Sequence, residues 1–406
     1  MQTSFDTVIV GGGPAGSTAA IVLAQAGWRV ALIEKQPFPR RKVCGECIAA
    51  SNLPLLEALG VGPAVTAAAG SELRQVALMR GDSSIVADLP PGEGGSYRWG
   101  RALGREKLDL LLIEQARLKG VQVMQPWSVQ SLEGGQSDWR CQIRAIDSKE
   151  VLTLRAPVAV DAHGSWQAMP SERASLFCNG SDLLAFKANF RGSSLKAGLL
   201  PVLSFDGGYG GMVVADQGIL TLACCVRRDQ LSALRRASPG ASAGEAVQAM
   251  LQQQCTGVHL ALKDASRIGP WLAAGPLAPG IRLRADDQAF RIGNAAAEAH
   301  PIIGEGMSMA FQSAWLLCAH LLGAGDRRKN TVDLTWQRAV AQRYAADWHR
   351  QFALRLRLAS AFAHLAMRPG LASPLLALVR AWPGLLPLGA KWGGKTRFIT
   401  TTWSSP

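Results

Sequence analysis

Phe5-Asp6-Thr7-Val8-Ile9-Val10-Gly11-Gly12-Gly13-Pro14-Ala15-Gly16 opens the chain with an apolar run that stops on a glycine turn. A helix-prone stretch, 17–26, follows, and a second apolar run, 30–33, ends in Glu34. Strand, glycine turn, helix, strand and acid in about thirty residues form a dinucleotide-binding unit. Gly11 permits the tight turn out of the strand, Gly13 lets backbone approach a pyrophosphate, and Gly16 lets the helix pack close to the sheet. The free N–H groups at the start of this helix, those of Ala15 and Gly16 among them, lie at the positive end of the helix dipole and favour phosphate. Glu34 can accept hydrogen bonds from ribose hydroxyls.

The 406 residues are 48% hydrophobic and 18% charged, enough for two packed domains of a globular protein. The net charge is +13. Its cations are scattered, with no basic run interleaved with aromatics, so nucleic acid is not the expected partner. An anionic cofactor, an acidic protein or a membrane surface fits better. Asp6 and the first core strand come at once, so no signal peptide is expected. Nothing reaches eighteen uninterrupted apolar residues, so no spanning helix is expected either. Eight cysteines without a secretion signal point to reduced thiols and a cytoplasmic location.

The pattern predicts an α/β chain. Stretches 76–79 and 85–88 alternate like strands of a sheet separate from the nucleotide core. Residues 105–119 read as an amphipathic helix, and 121–155 as a meander of short strands before a buried core strand at 159–162. Strand-like runs with glycine turns fill 182–275. From about 331 the chain is helical, basic and rich in Leu, Ala and Trp.

Several motifs then carry a resemblance. Glu34 through Glu46, with Arg40-Arg41-Lys42-Val43-Cys44-Gly45, resembles the segment after the first nucleotide unit in FAD-dependent oxidoreductases of the geranylgeranyl reductase and aromatic-ring monooxygenase branch. Leu103-Gly104-Arg105-Glu106-Lys107-Leu108-Asp109 resembles that family's arginine-bearing helix start. Gly207-Gly208-Tyr209-Gly210-Gly211 and Gly269-Pro270-Trp271-Leu272 resemble its substrate-domain turns. Arg291-Ile292-Gly293-Asn294 through Pro301, Gly304, Glu305, Gly306 and Met307 resembles its second flavin motif. The resemblance implies a Rossmann-like, interleaved FAD-binding domain of the GR2 type at 1–70, 101–175 and 280–325. It implies a β-sheet substrate domain at 71–100 and 176–279, followed by a helical basic region at 326–406.

The same resemblance implies FAD as cofactor, held by Gly11, Gly13, Pro14, Ala15, Gly16, Glu34, Lys35, Arg41, Cys44, Arg105, Asn294, Pro301, Gly304, Gly306 and Met307. Arg41 and Arg105 are the expected diphosphate partners, since guanidinium pairs with phosphate oxygens. Tyr209 and Trp271 are the expected aromatic walls of a substrate site. His300, beside Pro301, is the expected general acid–base, with Glu46 and Glu305 as further polar candidates. Cys44-Gly45-Glu46-Cys47 has no second cysteine pair, so no metal site is expected. It is either a dithiol exchanging with substrate or flavin, or a loop with Cys44 near the flavin and Cys47 packed. The adjacent Cys224 and Cys225 are read as core.

Two positions depart from the family pattern. Asn294 stands where an Asp is usual and keeps a carbonyl acceptor. Asp161-Ala162-His163-Gly164 stands where Ala-Asp-Gly is usual, which leaves NAD(P)H or a partner reductase open as electron donor. The leading expectation is a monooxygenase hydroxylating an electron-rich aromatic or lipophilic substrate through a flavin C4a-hydroperoxide. The alternatives are a hydroxylase of a tryptophan in an acidic client protein during quinone-cofactor maturation, a C=C reductase of a prenyl or polyketide chain, and an inactive flavin-binding scaffold. A tryptophan-halogenase reading ranks lower, for want of a Trp-x-Trp-x-Ile-Pro segment. The basic C-terminal region is an expected peripheral membrane contact.

Overall fold

A computed structural model describes residues 2–92, 97–135, 137–164, 179–286, 288–323 and 333–392. The strand Thr7–Val10 is buried at all four positions. It is the centre of a five-stranded parallel sheet, ordered 290–291, 158–161, 7–10, 30–33, 122–124. Val10 lies in register with Asp161 on one side and Ile33 on the other. A central parallel strand covered on both faces is near-continuously apolar, here Val8-Ile9-Val10 after the buried Thr7, and its side chains divide between the two faces. Ile9 and Leu32 enter the main core with the helices Pro14–Gln25, Arg105–Leu118 and Gly306–Leu322. Val8, Ala31 and Ile33 enter a second core under a three-stranded antiparallel sheet, with Cys141, Ile143 and Leu154.

The run at 121–124 is not part of a meander. Gln122–Met124 pairs in parallel with Val30–Ile33 and completes the edge of the nucleotide sheet. Three residues are too few to show a period, so sequence alone assigned it to its antiparallel neighbours.

A separate seven-stranded sheet is ordered 266–274, 183–191, 220–227, 208–214, 199–205, 75–80, 83–88. Every pairing is antiparallel except that of Leu199–Phe205 with Gln75–Arg80. One face carries its own core, with Phe186, Phe190, Leu222 and Met250. The other turns toward the nucleotide domain.

The helix Leu334–Met367 fastens the two sheets together. Its first half buries Tyr344, Trp348 and Phe352 in the nucleotide-domain core, and its last turns bury Ala363, Ala366 and Met367 beside Tyr209 and Cys225. The Ala366 carbonyl accepts from Ser204 Oγ at 2.8 Å, and the Met367 carbonyl from the Gly207 amide at 3.1 Å. Helices Pro369–Ala381 and Leu385–Trp392 follow and lie against Leu78 and Ile85. Among the described residues no helix is long and apolar enough to cross a membrane. The basic Lys395 and Arg397 lie outside the described residues.

Candidate active site

The glycine turn does what its residue types require. Gly11 sits at φ +106°, and a Cβ there would lie 2.6 Å from the Ala162 carbonyl oxygen. A Cβ at Gly16 would lie 1.9 Å from the Gly11 carbonyl oxygen. Gly13 differs. Its backbone is ordinary extended chain at φ −75° and ψ −174°. A Cβ there would find only the terminal nitrogens of Arg105 and Arg40, each at 3.9 Å. Its missing side chain leaves space facing two guanidinium groups.

That space is strongly electropositive. Arg40, Lys42 and Arg105 all line it. Arg105 is anchored by two 2.7 Å hydrogen bonds to Asp109, one turn along its helix. Burial pulls its pKa down, but the contacts with Asp109 and Cys44 outweigh this and raise it. Arg40 lies 3.3 Å from Glu34 and 3.6 Å from Asp109, and its buried Nε has no hydrogen-bond partner among the described residues. The Lys42 ammonium is pushed down to about 8 by burial, then by Arg105 and Arg40. Three converging cations with an orphaned donor are the environment a diphosphate relieves, and the residues fit FAD at this end. Glu34 accepts from the Gly12 amide at 2.8 Å and from the Gln36 amide at 2.8 Å, which holds its carboxylate beside the turn.

Three residues expected to hold the cofactor do not line this cavity: Gly16, which packs against the Gly11 carbonyl, Arg41 and Lys35. Arg41 points the other way: its Nη2 donates to Asn189 Oδ1 at 2.7 Å, on the seven-stranded sheet. The residue that faces Gly13 is its neighbour Arg40. Lys35 is exposed and does not line the cavity.

From the glycine turn one cavity of about 250 Å³ continues past Ala162, His163 and Gly293 to the inner face of the seven-stranded sheet. Asn294, Pro301, Gly304, Gly306 and Met307 all line it, as do Cys44 and Cys47. Gly304 takes a left-handed φ of 65° and ends the short turn Pro301–Ile303, and the helix Gly306–Leu322 begins two residues later. Gly293, at φ +56°, sits directly against Ala15 of the first helix, since a Cβ there would lie 2.9 Å from the Ala15 Cβ. The altered Asp161–His163 pair closes on itself, with His163 Nδ1 2.5 Å from Asp161 Oδ1.

At the far end the walls are small and apolar: Ala185, Pro201, Val202, Gly211, Ala223 and Ile302. The polar groups there are few. Tyr209 Oη lies 3.2 Å from His300 Nδ1, and Cys225 and Glu298 are close to the same phenol. Burial raises the Tyr209 phenol well above its ordinary range and pushes the Cys225 thiol up to about 12. Cys224 and Cys225 are both buried, but Cys225 is not simple core, since it reaches the cavity beside Tyr209. His300 does not itself line the cavity and meets it through Tyr209. Burial, then the nearby His364, pushes its pKa down to about 4. The imidazole is therefore neutral at pH 7, and no standing acid is held there.

Glu46 lines the cavity but is already committed. Its Oε1 pairs with the Lys187 ammonium and accepts from the Arg105 amide at 3.1 Å, while its Oε2 accepts from Thr221 Oγ1 at 2.5 Å. These contacts hold Glu46 at φ +59°. A carboxylate so paired is a structural clasp, not an available base. Glu305 is buried at the N-cap of the helix Gly306–Leu322, away from the cavity wall. Trp271 also falls outside the cavity. It packs edge-on to Phe186 and Phe190, with ring centroids 6.5 and 6.4 Å away, on the opposite face of the sheet. Among the described residues no cluster of His, Cys, Asp or Glu could hold a metal.

Sequence reading missed Arg40, Lys42, Lys187, Cys225 and Glu298. The Arg-Arg-Lys run at 40–42 was the available signal for the first two. Nothing local marks the others.

A family model described as FAD binding domain matches residues 4–333. A tryptophan 2-halogenase of Chondromyces crocatus is 28% identical over 198 residues, 48% of this chain and 37% of that protein. The chain thus spans well under half the length of this curated relative. The solved chondrochloren halogenase CndH, of myxobacterial origin, superposes with TM-score 0.70 at 20% identity, covering 87% of this chain and 83% of its own. The structure of PqsL, a probable FAD-dependent monooxygenase from Pseudomonas aeruginosa, superposes with TM-score 0.65 at 17% identity, covering 92% and 100%. At these identities the superpositions establish the fold.

Proposed function

This chain belongs to the FAD binding domain family, a group of FAD-dependent oxidoreductases, and on that premise we propose that it is a monooxygenase hydroxylating an electron-rich aromatic or lipophilic molecule. The observation that carries this reading is one continuous cavity joining the electropositive glycine turn to the apolar pocket at Tyr209.

Bound FAD supplies two-electron redox chemistry and reaction with oxygen. The protein's residues do the rest. Gly13, Arg40, Lys42 and Arg105 receive the diphosphate, and Glu34 stands ready for the ribose. The amides at the start of the helix Gly306–Leu322 stabilise negative charge at the far end of the cofactor. Ala185, Val202, Ala223 and Ile302 exclude water from the reacting region. Tyr209 Oη, backed by neutral His300, can orient a substrate hydroxyl by hydrogen bonding, with both groups kept uncharged by burial. Asn294 offers a carbonyl acceptor where the family usually places a carboxylate.

The test is turnover of the FAD-loaded protein with a chemical or protein electron donor, oxygen and a panel of phenols and alkylated phenols. Hydroxylation adds one oxygen to the product and consumes one O2 per product. Donor oxidation without oxygen uptake would assign C=C reduction instead. A second reading, halogenation of the same class of ring, is favoured by the halogenases among the similar proteins. A product whose mass changes with added chloride or bromide would decide for it.

A further inference from the structure

We propose that the C-terminal helices form a docking surface for an anionic lipid bilayer, from which a lipophilic substrate enters the cavity. The route rests on the cavity being the substrate site; the docking does not.

Charge is the first argument. Residues 348–392 contain six Lys and Arg and no acid. The second is apolar exposure. Among the described residues thirteen large apolar side chains are exposed, and six of them fall between 354 and 382: Leu354, Leu358, Leu365, Leu371, Leu378 and Trp382. Leu354 and Trp382 are each 65% exposed.

The two features are arranged together. At about 100° per residue, Leu354, Leu358 and Leu365 fall within roughly 40° of one another on the helix Leu334–Met367. Arg343 and Arg357 run alongside them, within roughly 60° of Leu354, and Arg350 on the same side is paired with Asp347. Trp348, Phe352 and Ala363 are buried on the opposite side. Leu371 and Leu378 are two turns apart on the next helix, and Trp382 follows at its end. Leucine and tryptophan flanked by arginine match an interfacial surface, where apolar groups enter the acyl boundary and cations meet anionic headgroups. A protein partner would need acids on its own side and a matching shape; a bilayer needs only charge and apolar area.

The surface also adjoins the site. The buried side of the same helix packs Ala363 and Met367 against Tyr209 and Ile302. Beneath the helix Pro369–Ala381 lies a small cavity lined by Leu78, Phe362, Leu375 and Leu376, with Arg80 and Ser204 as its polar groups. It shares Val202 and Ile302 with the main cavity.

The experiment is co-sedimentation of the full-length, FAD-loaded protein with vesicles of phosphatidylcholine, with or without an equal part of phosphatidylglycerol. Binding to the anionic vesicles is expected at low salt, at least tenfold stronger than to phosphatidylcholine alone, and weakened by added salt. Arg357→Ala with Arg368→Ala should weaken it about 25-fold, two factors of about five. Leu354→Ser with Leu358→Ser and Trp382→Ser should weaken it at least tenfold, with the flavin spectrum and thermal transition unchanged. The proposal is overturned if the protein stays in the supernatant with both vesicles, or if neither variant changes binding. It is equally overturned if the patch instead mediates a dimer that the variants dissolve, or captures polyglutamate while ignoring vesicles. Vesicle binding needs no turnover, so its failure and the failure of the oxygenase reading are separate results.

Discussion

Gly13→Ala separates cofactor binding from folding. The backbone at Gly13 is already one an alanine adopts, and the added methyl meets nothing nearer than two arginine tips at 3.9 Å. The protein without FAD should therefore be as stable as the parent, or up to about 1 kcal/mol more stable through loss of unfolded-state freedom. The methyl nevertheless fills the space through which a pyrophosphate approaches the backbone. Forcing one methyl into a closely packed contact costs about 1–3 kcal/mol, so FAD should bind about 5- to 150-fold more weakly. Gly16→Ala is the contrast. Its methyl would stand 1.9 Å from a backbone oxygen and 3.2 Å from the Ala162 Cβ, so the turn itself must move, and stability without FAD should fall as well. Thermal unfolding of the apoprotein gives the first quantity, and quenching of flavin fluorescence on titration gives the second. A Gly13→Ala protein that binds FAD with parental affinity, or an apoprotein destabilised as much as Gly16→Ala, would refute the assignment of this space to the diphosphate.

Arg40→Ala should weaken FAD by about ten- to a hundredfold, the value of one charge-assisted contact, and flatten the salt dependence of binding; Arg41→Ala should change flavin affinity by less than threefold in the same titration. Lys187→Met strands the buried Glu46 carboxylate and should cost about 3–5 kcal/mol in urea unfolding, while Lys187→Met with Glu46→Gln should recover part of that loss. His300 has a folded-state pKa of about 4 against an ordinary value of 6.5. The unfolded chain binds the extra proton between those values, so this stability is complete above about pH 6.5 and drains away toward pH 4. The loss is no more than about 3 kcal/mol, and His300→Gln should remove that portion of the acid slope in unfolding curves taken from pH 4 to 7.

The parts of this protein that were legible in its sequence are those where backbone geometry dictates residue type. Gly11 and Gly16 admit no side chain in this fold, so their spacing reads directly as structure. The same holds for the second motif, where Gly293 and Gly304 both take positive φ. Side-chain direction in loops was not legible. Arg40 and Arg41 are adjacent and chemically identical, and only tertiary packing decides that one faces the glycine turn while the other reaches Asn189. Trp271 stands on an edge strand, where successive side chains alternate faces, and it falls on the face packed against Phe186 and Phe190. Tyr209 and His300 are 91 residues apart, and no local pattern announces their meeting.

The committed state of Glu46 explains how two domains make one site. The loop carrying Arg40, Lys42 and Cys44 ends at Glu46, and that carboxylate is held by Lys187 and Thr221 of the seven-stranded sheet and by the amide of Arg105. Thr221 in turn accepts from Asn189 Nδ2, and Asn189 Oδ1 accepts from Arg41. The chain of contacts therefore starts and ends on the cofactor loop and passes through two strands of the substrate sheet. Glu46, Lys187 and Thr221 are each no more than 2% exposed. Separating them would strand a charge in a low-dielectric interior at a cost of several kcal/mol. The loop and the sheet bearing Tyr209 must then move as one body, and the distance between the glycine-turn end and the Tyr209 end of the cavity is set by this clasp. Glu46 thus acts through geometry, by fixing where the two ends of the cavity stand relative to each other.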